Sequence, residues 1–138
     1  MQEWAFVFDT RLTTSGIRYA KAQVNGVNGI ILLPDDWNIS YYSLINTNQP
    51  GASFSSNVIT SLEWNSVEQE GAVFLPAAGY RQQNWIASVG SCCSYWSVSY
   101  KDHERAYYMV CEIGLLSPRN YRYRCEGCSV RLVKDCNP

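Results

Sequence analysis

Ala106-Tyr-Tyr-Met-Val-Cys-Glu-Ile113 alternates with a period of two. As a strand it sends Tyr107, Met109, Cys111 and Ile113 to one side and Tyr108, Val110 and Glu112 to the other. The first set reads as core, the second as a half-exposed face. Gly114 and Pro118 are expected to break the strand, and Arg119-Asn-Tyr-Arg-Tyr-Arg124 to follow as a loop.

Around this strand the chain divides into orderly and irregular stretches. Gly71-Ala-Val-Phe-Leu-Pro-Ala-Ala-Gly-Tyr-Arg81, Tyr95-Trp-Ser97 and Ser129-Val-Arg-Leu-Val-Lys134 carry apolar runs with Gly and Pro punctuation. Between them, Gly90-Ser-Cys-Cys-Ser94, Tyr100-Lys-Asp-His-Glu-Arg105 and Arg119–Cys125 mix charge, thiol and aromatic residues without period. Such stretches fold only on a core supplied by their neighbours, which frees their side chains for recognition.

Upstream, Trp4–Phe8 reads as an opening strand, Thr13–Ala22 is ambiguous, and Val27–Leu33 is a buried strand stopped by Pro34. Asp35-Asp36 follows as the start of a short helix carrying Trp37. Asn46–Ser56 is a polar loop. A helix begins at Asn57 or Thr60, with Thr60-x-x-Glu63 as its capping box, Ile59, Leu62, Trp64 and Val67 as its apolar stripe, and Gly71 as its end. Further strands are expected at Val73–Leu75, weakly at Trp85–Val89, at Tyr95–Tyr100 and at Cys128–Val133.

The 138 residues suit one domain with a core of its own, and 46% hydrophobic against 17% charged residues excludes disorder. Net charge is −1, so nothing global points to nucleic acid or membrane. The halves differ. Residues 1–80 hold three basic and seven acidic side chains (−4), and residues 81–138 hold eight and five (+3). Seven of the ten tyrosines lie at Tyr80 or later, a composition that suits a binding surface. No apolar run reaches the roughly eighteen residues of a membrane span, and Met1-Gln-Glu-Trp lacks the pattern of a signal peptide.

Six cysteines fall between Cys92 and Cys136. Cys125-Glu-Gly-Cys128 has the spacing of half a zinc site or a redox pair, but the remaining spacings are irregular, and free thiols are the simpler reading. His103 is the sole histidine. With Asp102, Glu104 and Arg105 beside it and no nominated partner, it reads as a solvated loop residue rather than a general base. Arg119–Arg124 could meet phosphates and stack on bases, yet six residues on a chain of net −1 make nucleic acid an unexpected partner. The Glu-Pro-Asn or Gln-Pro-Asp style triplet of calcium-dependent sugar binding is absent.

Gly26-Val-Asn-Gly-Ile-Ile-Leu-Leu-Pro-Asp-Asp-Trp37, Gly71–Arg81, Gly90-Ser91, Tyr95-Trp-Ser97, Ala106-Tyr107 and Ser129-Val-Arg-Leu-Val133 occur in that order. Over about residues 26–134 the chain thereby resembles the variable proteins of diversity-generating retroelements. The resemblance implies an α+β domain with a C-type lectin fold, two small antiparallel sheets with two helices, distantly related to formylglycine-generating enzymes. It implies one domain over residues 1–138, with a fixed frame and a variable region at about 82–128. In that family a reverse transcriptase miscopies template adenines, so AAC asparagine codons become NNC. Such codons give Cys, Tyr, Arg, His, Asp, Ser, Leu and Val, but never Trp, Met, Lys, Gln or Glu.

By alignment to such a template, the diversified and ligand-binding positions are Cys92, Cys93, Ser94, Asp102, His103, Arg105, Tyr108, Val110, Leu115, Ser117, Arg119, Asn120, Tyr121, Arg122 and Tyr123. All are reachable from an asparagine codon. Lys101, Glu104, Glu112 and Glu126 are not, and depart from the pattern.

The resemblance further implies a binding protein with no catalysis, no metal and no cofactor, carried on a phage virion or bacterial surface. Its partner would be a protein or glycan on a target cell, without membrane insertion, and a homo-oligomer would help a weak binder. Tyr108, Tyr121 and Tyr123 would anchor the ligand. Arg105, Arg119 and Arg122 would hydrogen-bond it, and Cys92, Cys93 and Ser94 would line the rim. The rivals are a thiol- or zinc-dependent enzyme centred on Cys125 and Cys128, and a non-variable surface or pilus module. The copper-binding cysteine arrangement of formylglycine-generating enzymes is not reproduced.

Overall fold

Asn25 and Gly26 both take positive φ, 49° and 78°, as a two-residue type I′ turn requires. They join β1 (Tyr19–Val24) to β2 (Val27–Leu32) as an antiparallel hairpin. The computed structural model describes residues 3–133. β3 (Val58–Ile59) adds to β1 in parallel, and β4 (Val73–Pro76) adds to β2 antiparallel, giving the order β3-β1-β2-β4. β5 (Tyr80–Gln82) and β6 (Trp85–Ala87) form a second, two-stranded sheet. β7 (Cys93–Tyr100), β8 (Arg105–Glu112) and β9 (Leu115–Tyr123) form a third in that order. With α1 (Glu3–Ala5) and α2 (Ser61–Gln69) the chain is α+β. Among the described residues there are three sheets where two were expected, and the β1–β3 pairing is parallel.

Alternation on β2 separates two cores. Ile30 faces Trp4, Phe8, Tyr19, Phe54 and Leu75, together with Tyr95 and Met109 of the third sheet. Ile31 faces the other way, toward Ala22, Leu33, Trp37, Ile59 and Val67 beneath α2. The capping box is present: the Glu63 N–H donates to Thr60 Oγ1 (3.2 Å), and the Thr60 N–H donates to Glu63 Oε2 (2.7 Å). Gly71 ends the turn beyond α2 at φ 96°. Leu62, expected in the apolar stripe, is exposed, and Trp64 is half-buried against Phe74.

Four expectations are corrected. Trp4–Phe8 is not a strand. Trp4, Ala5 and Phe8 are buried while Phe6 is exposed, so the burial follows a helical face. The segment turns as α1 and then a π-helical stretch, Phe6–Thr10, closed by Arg11 N–H to Phe6 O. Tertiary packing of Trp4 and Phe8, stacked at 6.0 Å, overrides the β propensity of their types.

Asp35-Asp36 starts no helix. Trp37 N–H closes a turn onto Pro34 O, and Asp35 instead accepts from Arg11 at 2.8 Å. Cys128–Val133 is not a strand; among the described residues it makes one isolated bridge, Ser129 to Tyr95. Lys134 and Cys136 lie outside the described residues.

The largest correction is β9. The register steps from Val110↔Ser117 to Tyr108↔Asn120, leaving Pro118 and Arg119 opposite Met109. Two residues against one is a bulge. Because β9 is the sheet edge, Pro118 forfeits no ladder bond there. The proline that reads as a stop is therefore carried inside a strand.

One buried charge ties the first sheet to the third. Lys21, on β1, is 0% exposed. Its Nζ donates to Pro50 O (2.6 Å), Leu115 O (3.1 Å) and Glu112 O, and lies 5.8 Å from the Phe54 ring centroid. It thereby fixes the turn between β8 and β9. Burial holds its ammonium below the ordinary lysine range.

Candidate ligand-binding surface

Pairing sets the two faces of the third sheet. Cys93↔Cys111 and Tyr95↔Met109 lie on the inner face, within the core beneath β2. Ser94↔Val110 and Trp96↔Tyr108 lie on the outer face. That outer face is not open. Tyr80, Trp96 and Cys128 pack over Cys92, Tyr108 and Val110 as a third apolar cluster. The half-exposed character expected of Tyr108 and Val110 is corrected: each is 5% exposed. Ile113, expected in the core, is exposed in the turn after β8.

Cys92, Cys93 and Ser94 are interior, not rim, residues. The Cys92 thiol and the Ser94 hydroxyl lie 3.2 Å apart. Burial pushes the Cys92 thiol up to about 11 and that of Cys128 up to about 12. Contact with Cys111, together with burial, pushes Cys93 up as well. At neutral pH these three are thiols rather than nucleophilic thiolates. Cys125 is exposed. Among the described residues no group of three His, Cys, Asp or Glu side chains could hold a metal ion.

The arginines expected to await a ligand are already engaged. Arg105 places Nε 2.8 Å and Nη2 2.6 Å from Asp102 Oδ2. Asp102 Oδ1 accepts from the N–H groups of Glu104 and Arg105, so Asp102 shapes the tip of the β7–β8 hairpin. The Arg105 hydrogen bond holds the Asp102 carboxyl below its usual range. Arg119 ion-pairs with Asp9 of the N-terminal helical stretch, away from the other two. Arg122 Nε lies 2.9 Å from Glu126 Oε2, and its guanidinium stands 3.8 Å from the Tyr80 centroid and 5.0 Å from that of Tyr108.

Of the fifteen expected positions, Arg105, Tyr108, Tyr121, Arg122 and Tyr123 meet around one cleft of about 290 Å³, with Glu126. Tyr121 and Tyr123 are exposed, at 44% and 55%. Asn120 takes the Tyr121 N–H on its own Oδ1. His103 is exposed at the hairpin tip, where its carbonyl accepts from Arg124. Leu115 and Ser117 do not line this cleft; they sit toward the opposite end of β9.

Three contributors were not nominated from sequence. Tyr80 clamps Arg122, Glu126 pairs with it, and Lys101 Nζ sits 3.2 Å over the Tyr121 ring. Tyr80 stands in an orderly phrase, and Lys101 and Glu126 fall outside the asparagine-codon set, so no local signal marked them.

The orderly phrases meet behind this surface. Ser129 N–H donates to Ser94 O (2.8 Å), and Trp96 N–H donates to Ser129 O (3.0 Å). No helix among the described residues is long and apolar enough to cross a membrane. Comparison with protein-family models, curated proteins and solved structures finds no match for this chain.

Proposed function

We propose that this protein is a binding module of C-type lectin type, resembling the variable proteins of diversity-generating retroelements. It grips a partner on a cell surface through the hairpin tip of β7–β8 and the outer edge of β9. No bond is made or broken. The observation that carries this reading is the contrast along β9, where the exposed side chains Tyr121 and Tyr123 stand on a strand whose register is fixed by β8. A pre-ordered backbone lowers the ordering cost of binding, and tyrosines give large contact area with few rotamers to freeze.

Burial sets two kinds apart among the fifteen positions, with Asp102, Arg105, Ser117, Asn120 and Arg122 half-buried between them. Exposed ones (His103, Leu115, Arg119, Tyr121, Tyr123) can change chemistry freely. Buried ones (Cys92, Cys93, Ser94, Tyr108, Val110) can change only within the volume available. Sequencing sister copies of the gene tests this. Free variation at the exposed set, volume-limited variation at the buried set and a constant frame are expected. Substitutions scattered evenly over β1, β2 and α2 would remove the case for diversification.

A further inference from the structure

Cys93 on β7 and Cys111 on β8 are cross-strand partners. Their neighbours fix which way the backbone points. Ser94 O accepts from Ser129 N–H and Trp96 N–H donates to Ser129 O, so these groups turn away from β8. The N–H and C=O of Cys93 therefore turn toward Cys111, as in a hydrogen-bonded antiparallel pair. Such a pair sets its Cα atoms about 5.5 Å apart, inside the roughly 4.4–6.8 Å that a disulfide spans. Both side chains leave the same inner face, both are 0% exposed, and the two thiols are in contact. Cys93 Sγ also lies 3.7 Å from Leu75 O, a weak bond for a weak donor.

The other described cysteines are placed differently. Cys92 belongs to the outer cluster, with its thiol 3.2 Å from the Ser94 hydroxyl. Cys128 packs on that cluster and Cys125 is exposed. Among the described residues neither of these two stands opposite a cysteine in a ladder. Within the facing pair, the Cys93 hydrogen bond and then the Lys21 ammonium draw the Cys111 thiol below its ordinary value. Cys111 is therefore the member that ionises and attacks.

We propose that Cys93 and Cys111 are a site of covalent modification, closing into a disulfide between β7 and β8 when the chain folds in the presence of a disulfide oxidant. In the open chain the Cys93 thiolate attacks the oxidant R–S–S–R, giving a mixed disulfide and one R–SH. The Cys111 thiolate then attacks the Cys93 sulfur, and the second R–SH leaves. The two cysteine thiols give up two electrons and two protons, and the oxidant's sulfurs take them. Both sulfurs are enclosed in the folded chain, so the oxidant reaches them before β7 and β8 close. The finished bond is then shielded from reductants. This staple fastens the hairpin from inside, whatever its outer edge binds.

The test refolds the full chain from urea with oxidised and reduced glutathione, blocks free thiols with N-ethylmaleimide, and maps tryptic peptides by mass spectrometry. Cleavage at Arg81, Lys101, Arg105 and Arg119 puts Cys92 and Cys93 on one peptide and Cys111 on another. These two peptides are expected to be joined, with the loss of two hydrogens. The link should persist in Cys92→Ala and vanish in Cys93→Ala. It should survive dithiothreitol in the folded chain and yield once urea is added. The urea midpoint of the oxidised chain should lie about 1–2 M above that of the reduced chain. If Cys93→Ala does not fold, the maps of the parent and Cys92→Ala decide alone. The proposal is overturned if Cys93 and Cys111 are recovered only as maleimide adducts. It is equally overturned if Cys111 is joined through Cys92, Cys125 or Cys128, or if the linked chain has the lower midpoint.

Discussion

Around Cys93–Trp96 and Tyr108–Cys111 the β7–β8–β9 sheet is closed on both faces, but by different means, while Tyr121 and Tyr123 beyond them stand exposed. The inner face packs Cys93, Tyr95, Met109 and Cys111 against Phe8, Tyr19 and Leu75, where apolar shape does the holding. The outer face holds Cys92, Tyr108 and Val110 under Tyr80 and Trp96, and is finished by the Arg122–Glu126 pair over two tyrosine rings. Each face also has a cation. Lys21 is fully enclosed among backbone carbonyls, whereas Arg122 borders a cleft. A face closed by apolar shape tolerates little change of volume. One closed by aromatic and ionic contacts at its rim tolerates replacement so long as the rim is refilled.

Breaking the inner face should produce the largest effect. Met109→Ala is expected to cost about 2–5 kcal/mol, read as a lower urea midpoint at unchanged slope. A loss under about 1 kcal/mol would mean the two faces are not distinct. Lys21→Met leaves three carbonyls without their donor and should cost about 1–3 kcal/mol in the same assay.

Arg122→Gln opens the outer face, with an expected cost of about 1–2 kcal/mol from the lost ion pair and ring contacts. Tyr123→Ala, on the exposed edge, should change stability by less than about 0.5 kcal/mol. A larger loss there would show that Tyr123 belongs to the scaffold.

Alkaline titration sharpens the same contrast. Burial raises Cys92 to about 11, and Cys128, Tyr19 and Tyr95 to about 12. The folded chain therefore keeps protons that the unfolded chain releases. Their stabilisation is complete below the ordinary thiol value of about 8.5 and is lost as pH rises through the folded values. Lys21 acts in the opposite sense, because its lowered value leaves the unfolded chain with more protons. The urea midpoint is expected to fall from about pH 8.5 upward, and to fall less steeply in Cys92→Ala. A flat profile would mean that these groups are not buried in solution.

Elements with local signatures were legible in the sequence. These include the Val27 strand, the Thr60-x-x-Glu63 cap and the inner-face alternation of Met109 and Cys111. Elements that depend on distant partners were hidden. Phe6 had to be exposed for Trp4 and Phe8 to share a helical face, and no neighbour in sequence says so. Pro118 is admissible only at a bulge on an edge, which requires knowing that β9 pairs on one side. Tyr108 and Val110 were assigned to an outward face correctly by period. The cover over them comes from Tyr80 and Cys128, neither of them a near neighbour in the chain.

Ser129 grips both Ser94 and Trp96, so residues 97–128 are cinched at their neck by two backbone hydrogen bonds. Closing a chain segment at its base makes its internal length nearly free: doubling it adds only about 0.6 kcal/mol of closure entropy. Extra residues inserted at His103 would lengthen the hairpin tip outward while the neck stays where it is. The reach of this domain can therefore be altered independently of its chemistry.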